Sequence, residues 1–192
     1  MFVAGLVLAA GSSRRLGRPK QLLPYRGATL LDAALAAARR CAFDQLLVTV
    51  GGNAADVREQ ADLSGCTVVD SVHHTEGCSS SIVSALDQVD PRADALVLLL
   101  GDQPGVDPRT VDRVAAVDAP IAVCRYDDGV GHPFRFARGV FPELAVLHGD
   151  KAVWKVIESG RVPVTELPVD GPVPPDVDTW EDYEQLVGDA HG

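Results

Sequence analysis

Several signatures are missing from this chain, and each absence removes a class of function. No apolar run reaches the roughly 20 residues that a membrane-spanning helix needs. The GxxxxGK[ST] pattern of a P-loop is absent, and so is the GxGxxG of a dinucleotide site. There is no GxSxG nucleophile elbow, so a serine hydrolase of that type is not expected. The four cysteines, Cys41, Cys66, Cys78 and Cys124, form no CxxC pair. His74 and Cys78 stand four residues apart, but two ligands do not make a zinc site. The cysteines are therefore expected to be reduced and mostly buried, as in a cytoplasmic protein. Positive charge is also scarce: 17 Lys and Arg face 27 Asp and Glu, for a formal net charge of −10. Nucleic acid and membrane surfaces need a positive face, so neither is expected as a partner. The opening "MFVAGLVLAAG" has no basic leader ahead of its apolar run, and no signal peptide is expected. No repeat or low-complexity tract is visible.

What is present is an alternation of apolar strands and helical segments. Val3 to Ala10, Gln45 to Val50, Cys66 to Val69, Ala95 to Leu100 and Ile121 to Arg125 read as strands. Thr29 to Ala42, Ala54 to Leu63, Ser79 to Val89 and Pro108 to Val117 read as helices, the last with proline in its first turn. Strands that are apolar throughout and separated by helices imply a parallel sheet covered on both faces. Beyond Tyr126 the rhythm loosens. "GVGHPFRFARG" reads as a loop and short β segment, "GVFPELAVL" and "DKAVWKVIES" as short helices, and "VPVTELPV" as a late edge strand. Trp180 to Val187 reads as a closing helix. The expectation is one α/β domain over residues 1–192, doubly wound around a mostly parallel, Rossmann-like sheet. Residues 1–125 would form its core and 126–192 would complete it.

Ligands of open α/β sheets sit outside the C-terminal ends of the strands. Three distinctive stretches fall there. In "AAGSSRRLGRPK", Gly11 permits a tight turn whose N–H groups can cradle an anion. Ser12 and Ser13 add hydroxyls, and Arg14, Arg15 and Lys20 can neutralise phosphates. The same cluster would also serve as a plain solvated loop. In "GDQPG", Asp102 follows a buried strand and could ligate Mg²⁺ or simply shape a turn. In "PPDVDTWEDY", Asp178 also fits as the N-cap of the final helix, with Glu181 in the capping-box position. A metal role requires Asp178 to meet Asp102 in space. Ser79, Ser80 and Ser81 sit where a helix starts, and they suit either ligand contact or capping. His132, held between glycine and proline, is the most distinctive histidine, whereas His73 and His74 read as surface residues.

Taken together, "LAAGSSRRLGRPKQLLPY", "GCSSSIVSAL", "LGDQPGV", "GHPFRF", "HGDK" and "DVDTWEDY" resemble, in this order, the nucleotidyltransferases of the molybdenum cofactor branch. That is the MobA-like NTP transferase family, and the set of motifs resembles its cytidylyltransferase type. Ala10 stands where guanylyltransferase relatives have glycine, which the resemblance reads as CTP over GTP. It implies that Gly11, Ser12, Arg15 and Lys20 hold the nucleotide phosphates, with Ser13 and Arg14 in the same loop. Ala9 and Ala10 would border the base, and Ser80 and Ser81 would contact base or ribose. Arg15, Lys20 and Asp102 would be catalytic, Asp102 and Asp178 would hold Mg²⁺, and Gly131, His132 and Pro133 would line the acceptor side. The implied partners are CTP or GTP, the molybdenum cofactor, and transiently a molybdoenzyme or its maturation chaperone. Other readings are a different phosphorylated acceptor and a non-catalytic nucleotide- or cofactor-binding protein. One departure stands out. After "HGDK" the family continues with Gly-Ala-Arg, whereas this chain reads Ala152, Val153, Trp154, Lys155.

Overall fold

Val3–Leu8 is buried along nearly its whole length and forms β1, an interior strand of the sheet. The computed structural model of the chain describes residues 1–11, 13, 16–71, 78–149 and 152–189. After β1 the chain forms a short hairpin from β2 (Pro24–Tyr25) and β3 (Ala28–Thr29), then helix α1 (Leu30–Ala38). Thr29 caps α1 and shares a capping box with Asp32, which fixes where the helix begins. There follow β4 (Gln45–Val50), α2 (Ala54–Gln60), β5 (Thr67–Asp70), α3 (Cys78–Leu86), β6 (Ala95–Leu100) and α4 (Pro108–Ala115). The remaining elements are β7 (Ile121–Tyr126), β8 (Gly129–Ala137), α5 (Phe141–Ala145), α6 (Ala152–Glu158), β9 (Val164–Pro168) and α7 (Trp180–Asp189).

Seven strands make one sheet in the order β5-β4-β1-β6-β8-β7-β9. All pair in parallel except β8, which runs antiparallel between β6 and β7. On one face, α1, α2 and α4 cover the sheet through Leu31, Leu35, Val57, Val111 and Val114. On the other, α3, α5 and α6 cover it through Ile82, Ala85, Leu144 and Val153. This is the doubly wound, mostly parallel Rossmann-like architecture expected from the sequence. From β1 the chain first winds outward to β4 and β5, then returns to β6 on the other side of β1. The reversal opens a crevice at the C-terminal ends of β1 and β6.

Two expectations change. "GVGHPFRFA" is not a loop with a short β piece but a nine-residue strand, β8. Arg135 lies within it and points inward. Its guanidinium donates to the carbonyls of Ala115, at the end of α4, and Ala119, in the loop that follows. A buried charge is tolerable when its donors are satisfied in this way. The cysteines are also less buried than expected: Cys124 is buried, but Cys41 and Cys66 are half-buried. Burial pushes the Cys41 and Cys124 thiols up to about 12. Among the described residues, no helix is long and apolar enough to cross a membrane.

Candidate functional site

The crevice begins where β1 and β6 end. Ala9 donates its N–H to the carbonyl of Thr49 at 3.2 Å, and Gly101 donates to the carbonyl of Leu8 at 3.0 Å. A Cβ on Gly101 would stand 3.0 Å from the Ala9 Cβ and 3.2 Å from the Leu8 carbonyl oxygen. Only glycine lets the exit of β6 close so tightly on the exit of β1, which sets Asp102 beside the first loop. The loop itself is held from below. The buried Gln21 side chain donates to the carbonyls of Ala9, at 2.7 Å, and Gly11, at 2.9 Å. Ser13 accepts from the backbone N–H of Lys20 at 2.9 Å, which fixes where the lysine starts. Ser12, Arg14 and Arg15 lie outside the described residues.

Lys20 reaches across the crevice. Its ammonium contacts Asp102 Oδ2 directly and lies 2.8 Å from Asp178 Oδ1. Burial alone would lower the Lys20 pKa, but Asp102 and Asp178 together turn it upward. Asp102 is almost fully buried, and burial pushes its carboxyl above the usual range while Lys20 pulls it back. Carboxylate oxygens of Asp102, Asp176 and Asp178 all lie within 4.8 Å of one another. Asp102 and Asp178, expected to need a meeting in space, do meet. Asp176 completes a trio that sequence reasoning did not assign.

The expected cap of α7 is displaced by one residue. Thr179, not Asp178, caps the helix, and Asp182, not Glu181, closes the box. Asp182 accepts from the Thr179 N–H at 2.7 Å, and Thr179 Oγ1 accepts from the Asp182 N–H at 3.2 Å. Asp182 also accepts from the Asp178 N–H at 3.0 Å. The displacement turns the Asp178 carboxylate toward Lys20 instead of its own helix. The arm that carries Asp176 and Asp178 is tied down on two sides. The Gln103 side chain donates to the carbonyl of Pro174. The turn between β7 and β8 accepts from the arm, Asp127 from Gly171 N–H at 3.1 Å and Asp128 from Val173 N–H at 2.7 Å. Neither glutamine stood out in the sequence, although Gln103 lies inside the "GDQPG" motif.

Around this centre lie the other expected residues. Ala9 and Ala10 are buried at the end of β1. Ser81 Oγ donates to Ser71 Oγ at 3.1 Å, and Ser80 Oγ lies 3.5 Å from the same atom. This hydroxyl group, with Ser71 newly included, sits where β5 ends and α3 begins. Leu98 pairs with Phe134, so the start of β8 extends past β6 to the same edge and brings Gly131, His132 and Pro133 there. Gly131 lies under Val173: a Cβ on it would come within 2.7 Å of Val173 Cγ1. His132 stacks on Phe134 at 4.0 Å, and Trp154 meets Phe134 edge-on at 5.1 Å. Trp154, the departure noted in the sequence, is thus a packing residue against Phe134. Lys155 beside it is exposed, and Asp150 and Lys151 lie outside the described residues. Burial lowers the His132 pKa to about 4, so its imidazole is neutral at physiological pH.

A lysine set against a carboxylate cluster, at the reversal point of such a sheet, is an arrangement suited to handling a nucleotide. Residues 5–164 match the MobA-like NTP transferase domain, and the chain belongs to that family of nucleotidyltransferases. It is 31% identical to the nicotine blue oxidoreductase of Paenarthrobacter nicotinovorans over 158 residues, 74% of each chain. The crystal structure of Rv0371c from Mycobacterium tuberculosis H37Rv superposes with a TM-score of 0.93 at 56% identity, covering 98% of both chains. The same protein's complex with manganese gives 0.90 at 54% identity, covering 98% of this chain and 99% of that one.

Proposed function

We propose that the chain is a cytidylyltransferase acting on the molybdenum cofactor, carrying CMP from CTP to the terminal phosphate of the pterin with release of pyrophosphate. The observation that carries this reading is the meeting of Lys20, Asp102 and Asp178 at the mouth of β1 and β6. The family signature and the motif set from "LAAGSSRR" to "DVDTWEDY" support it.

The donor set suits a divalent cation. Three carboxylates converge, hard oxygen ligands favour Mg²⁺ or Mn²⁺, and an ammonium already stands among them. The manganese complex of the Mycobacterium relative supports the same reading. Asp102 and Asp178, with Asp176, would hold the ion, which supplies charge neutralisation at the phosphates. The chain's own residues do the rest. The N–H groups around Gly11, with Ser13, Lys20 and Arg15, hold the triphosphate. Ala9 and Ala10 flank the base, and Ser80 and Ser81 meet base or ribose. Gly131, His132 and Pro133 face the acceptor. A phosphate oxygen of the acceptor attacks the α-phosphorus of CTP in line, and the bond to the β-phosphate oxygen breaks. Pyrophosphate leaves with that electron pair. No side-chain nucleophile is needed, because positioning and charge neutralisation carry such a transfer.

The test is pyrophosphate release with Mg²⁺, molybdenum cofactor and each of CTP, GTP, ATP and UTP. Release with CTP alone, and only with the cofactor present, is expected. Release with GTP instead would overturn the base choice. CTP binding without any release would point to another acceptor or to a binding protein.

A further inference from the structure

Lys20 occupies the place among the carboxylates that a cation would take, and this has a consequence for the order of events at the site. We infer that Lys20 is a built-in counter-ion: it holds a positive charge against Asp102 and Asp178 while no divalent cation is bound, and it must let go when one binds, which passes its ammonium to the nucleotide phosphates. The inference rests on the metal and nucleotide roles given above and adds a competition between them.

Three observations carry it. First, the ammonium touches both Asp102 and Asp178, and these oxygens lie within 4.8 Å of one another and of Asp176. Divalent cations bind such oxygens at about 2.0–2.6 Å. An ammonium left in place would stand at contact distance from the ion, and the repulsion would be strongest on the side of the buried Asp102, where solvent screens least. Second, the contacts to Lys20 come from both sides of the crevice, one from the exit of β6 and one from the arm before α7. Without a positive charge there, the nearly buried Asp102 carboxylate would keep only a backbone hydrogen bond and no counter-charge, which is strongly unfavourable. The counter-ion is therefore required whenever the metal is absent. Third, the lysine can move without its backbone. Its N–H is anchored on Ser13 at 2.9 Å, and its carbonyl accepts from Leu23 N–H at 3.1 Å. The stem runs beside Gly11, with Cε 3.9 Å from where a Cβ on that glycine would stand. Rotation about the side-chain bonds alone carries the ammonium from the carboxylates toward the loop that would hold the phosphates.

Reciprocity follows. If the metal displaces Lys20 toward the phosphates, nucleotide must strengthen metal binding by the factor by which metal strengthens nucleotide binding. A lysine serving only as a phosphate ligand would leave metal affinity without nucleotide unchanged.

The experiment is Mn²⁺ titration of the full chain, with free Mn²⁺ read by electron paramagnetic resonance, with and without CTP. Lys20→Met and Lys20→Gln are compared with wild type, and Arg18→Met removes an exposed charge two residues earlier in the chain. Without nucleotide, both Lys20 variants are expected to bind Mn²⁺ about tenfold tighter than wild type, within the usual range of coupling between sites. Arg18→Met should stay within about twofold, as expected for an exposed charge in salt. CTP should tighten Mn²⁺ in wild type and much less in the Lys20 variants. Lys20 variants that bind Mn²⁺ no tighter than wild type, or an equal gain in Arg18→Met, would overturn the inference. The outcome is separable from the proposed reaction. Tighter Mn²⁺ binding in a protein that releases no pyrophosphate keeps the counter-ion and rejects the reaction. Release without that gain keeps the reaction and rejects the counter-ion.

Discussion

The side-chain amide of Gln103 donates to the carbonyl of Pro174, tying the exit of β6 to the arm that carries Asp176 and Asp178. The two residues are far apart in sequence, and Gln103 is almost wholly buried. Its neighbour Asp102 is the deepest of the three carboxylates. The Gln103 link, together with the Asp127 and Asp128 contacts to the arm, sets the spacing of the acidic cluster. Removing it leaves a carbonyl without its donor, a loss of about 1–3 kcal/mol for a buried group. Gln103→Ala should lower stability by that amount in urea unfolding and weaken Mn²⁺ binding, although no carboxylate has been touched.

Asp102 is the carboxylate on which turnover should depend most. Asp102→Ala is expected to keep nucleotide binding, measured by calorimetry, and to lose turnover by on the order of a hundredfold or more, the usual scale for removing one key electrostatic contact. Undiminished pyrophosphate release in this variant would remove Asp102 from the metal site.

The helix cap can be located by substitution. Thr179→Ala should cost about 1 kcal/mol in denaturant unfolding, the usual worth of a Ser or Thr cap. Glu181→Ala, at the position the sequence pattern pointed to, should change stability by less than about 0.5 kcal/mol, as an exposed surface substitution does. Equal losses at both positions would contradict the observed cap.

His132 makes stability depend on pH. Its pKa falls from the ordinary 6.5 to about 4 in the folded chain. Below pH 6.5 the unfolded chain takes up a proton that the folded one refuses, so stability is fully present above 6.5 and is lost as pH falls toward 4. The linkage is worth at most about 3 kcal/mol. His132→Phe should flatten the pH dependence of urea unfolding between pH 6.5 and 4. An unchanged slope would show that His132 is solvated.

The strands of the sheet centre were legible because burial on both faces leaves no polar residue in them. Val3 to Leu8 and Ala95 to Leu100 are apolar without a break, and the structure follows that pattern. β8 was legible only as a short β segment, because Gly129, Gly131 and Pro133 read as loop and Arg135 interrupts the apolar residues that follow. Only the carbonyls at the end of α4 and in the loop after it, which a linear pattern cannot supply, make that arginine acceptable. α1 stops at Ala38 rather than Ala42: Arg39 still donates to Leu35, but the backbone then tightens to i→i−3 bonds, Arg40 to Ala37 and Cys41 to Ala38, a common way for a helix to end. At the site, the sequence announced Lys20, Asp102 and Asp178 through motif and position. Asp176, Gln21, Gln103 and Ser71 went unassigned, because each acts through a contact formed only when distant segments meet. The one-residue error at the last helix has the same origin. "DVDTWEDY" offers two overlapping capping boxes, and the contact of Asp178 with Lys20 accompanies the choice between them.

The hydrogen bond from Lys20 to Asp178 spans 158 positions. A chain leaving the ribosome folds from its first strands onward, and β1, β4 and β6 can assemble long before the arm is made. Until the segment around Asp178 emerges, the growing protein has a lysine and one buried carboxylate but no cluster. Assembly of the cluster is therefore withheld from every incomplete copy, and a truncated product lacking α7 and the arm before it would keep Lys20 and Asp102 without the other two carboxylates.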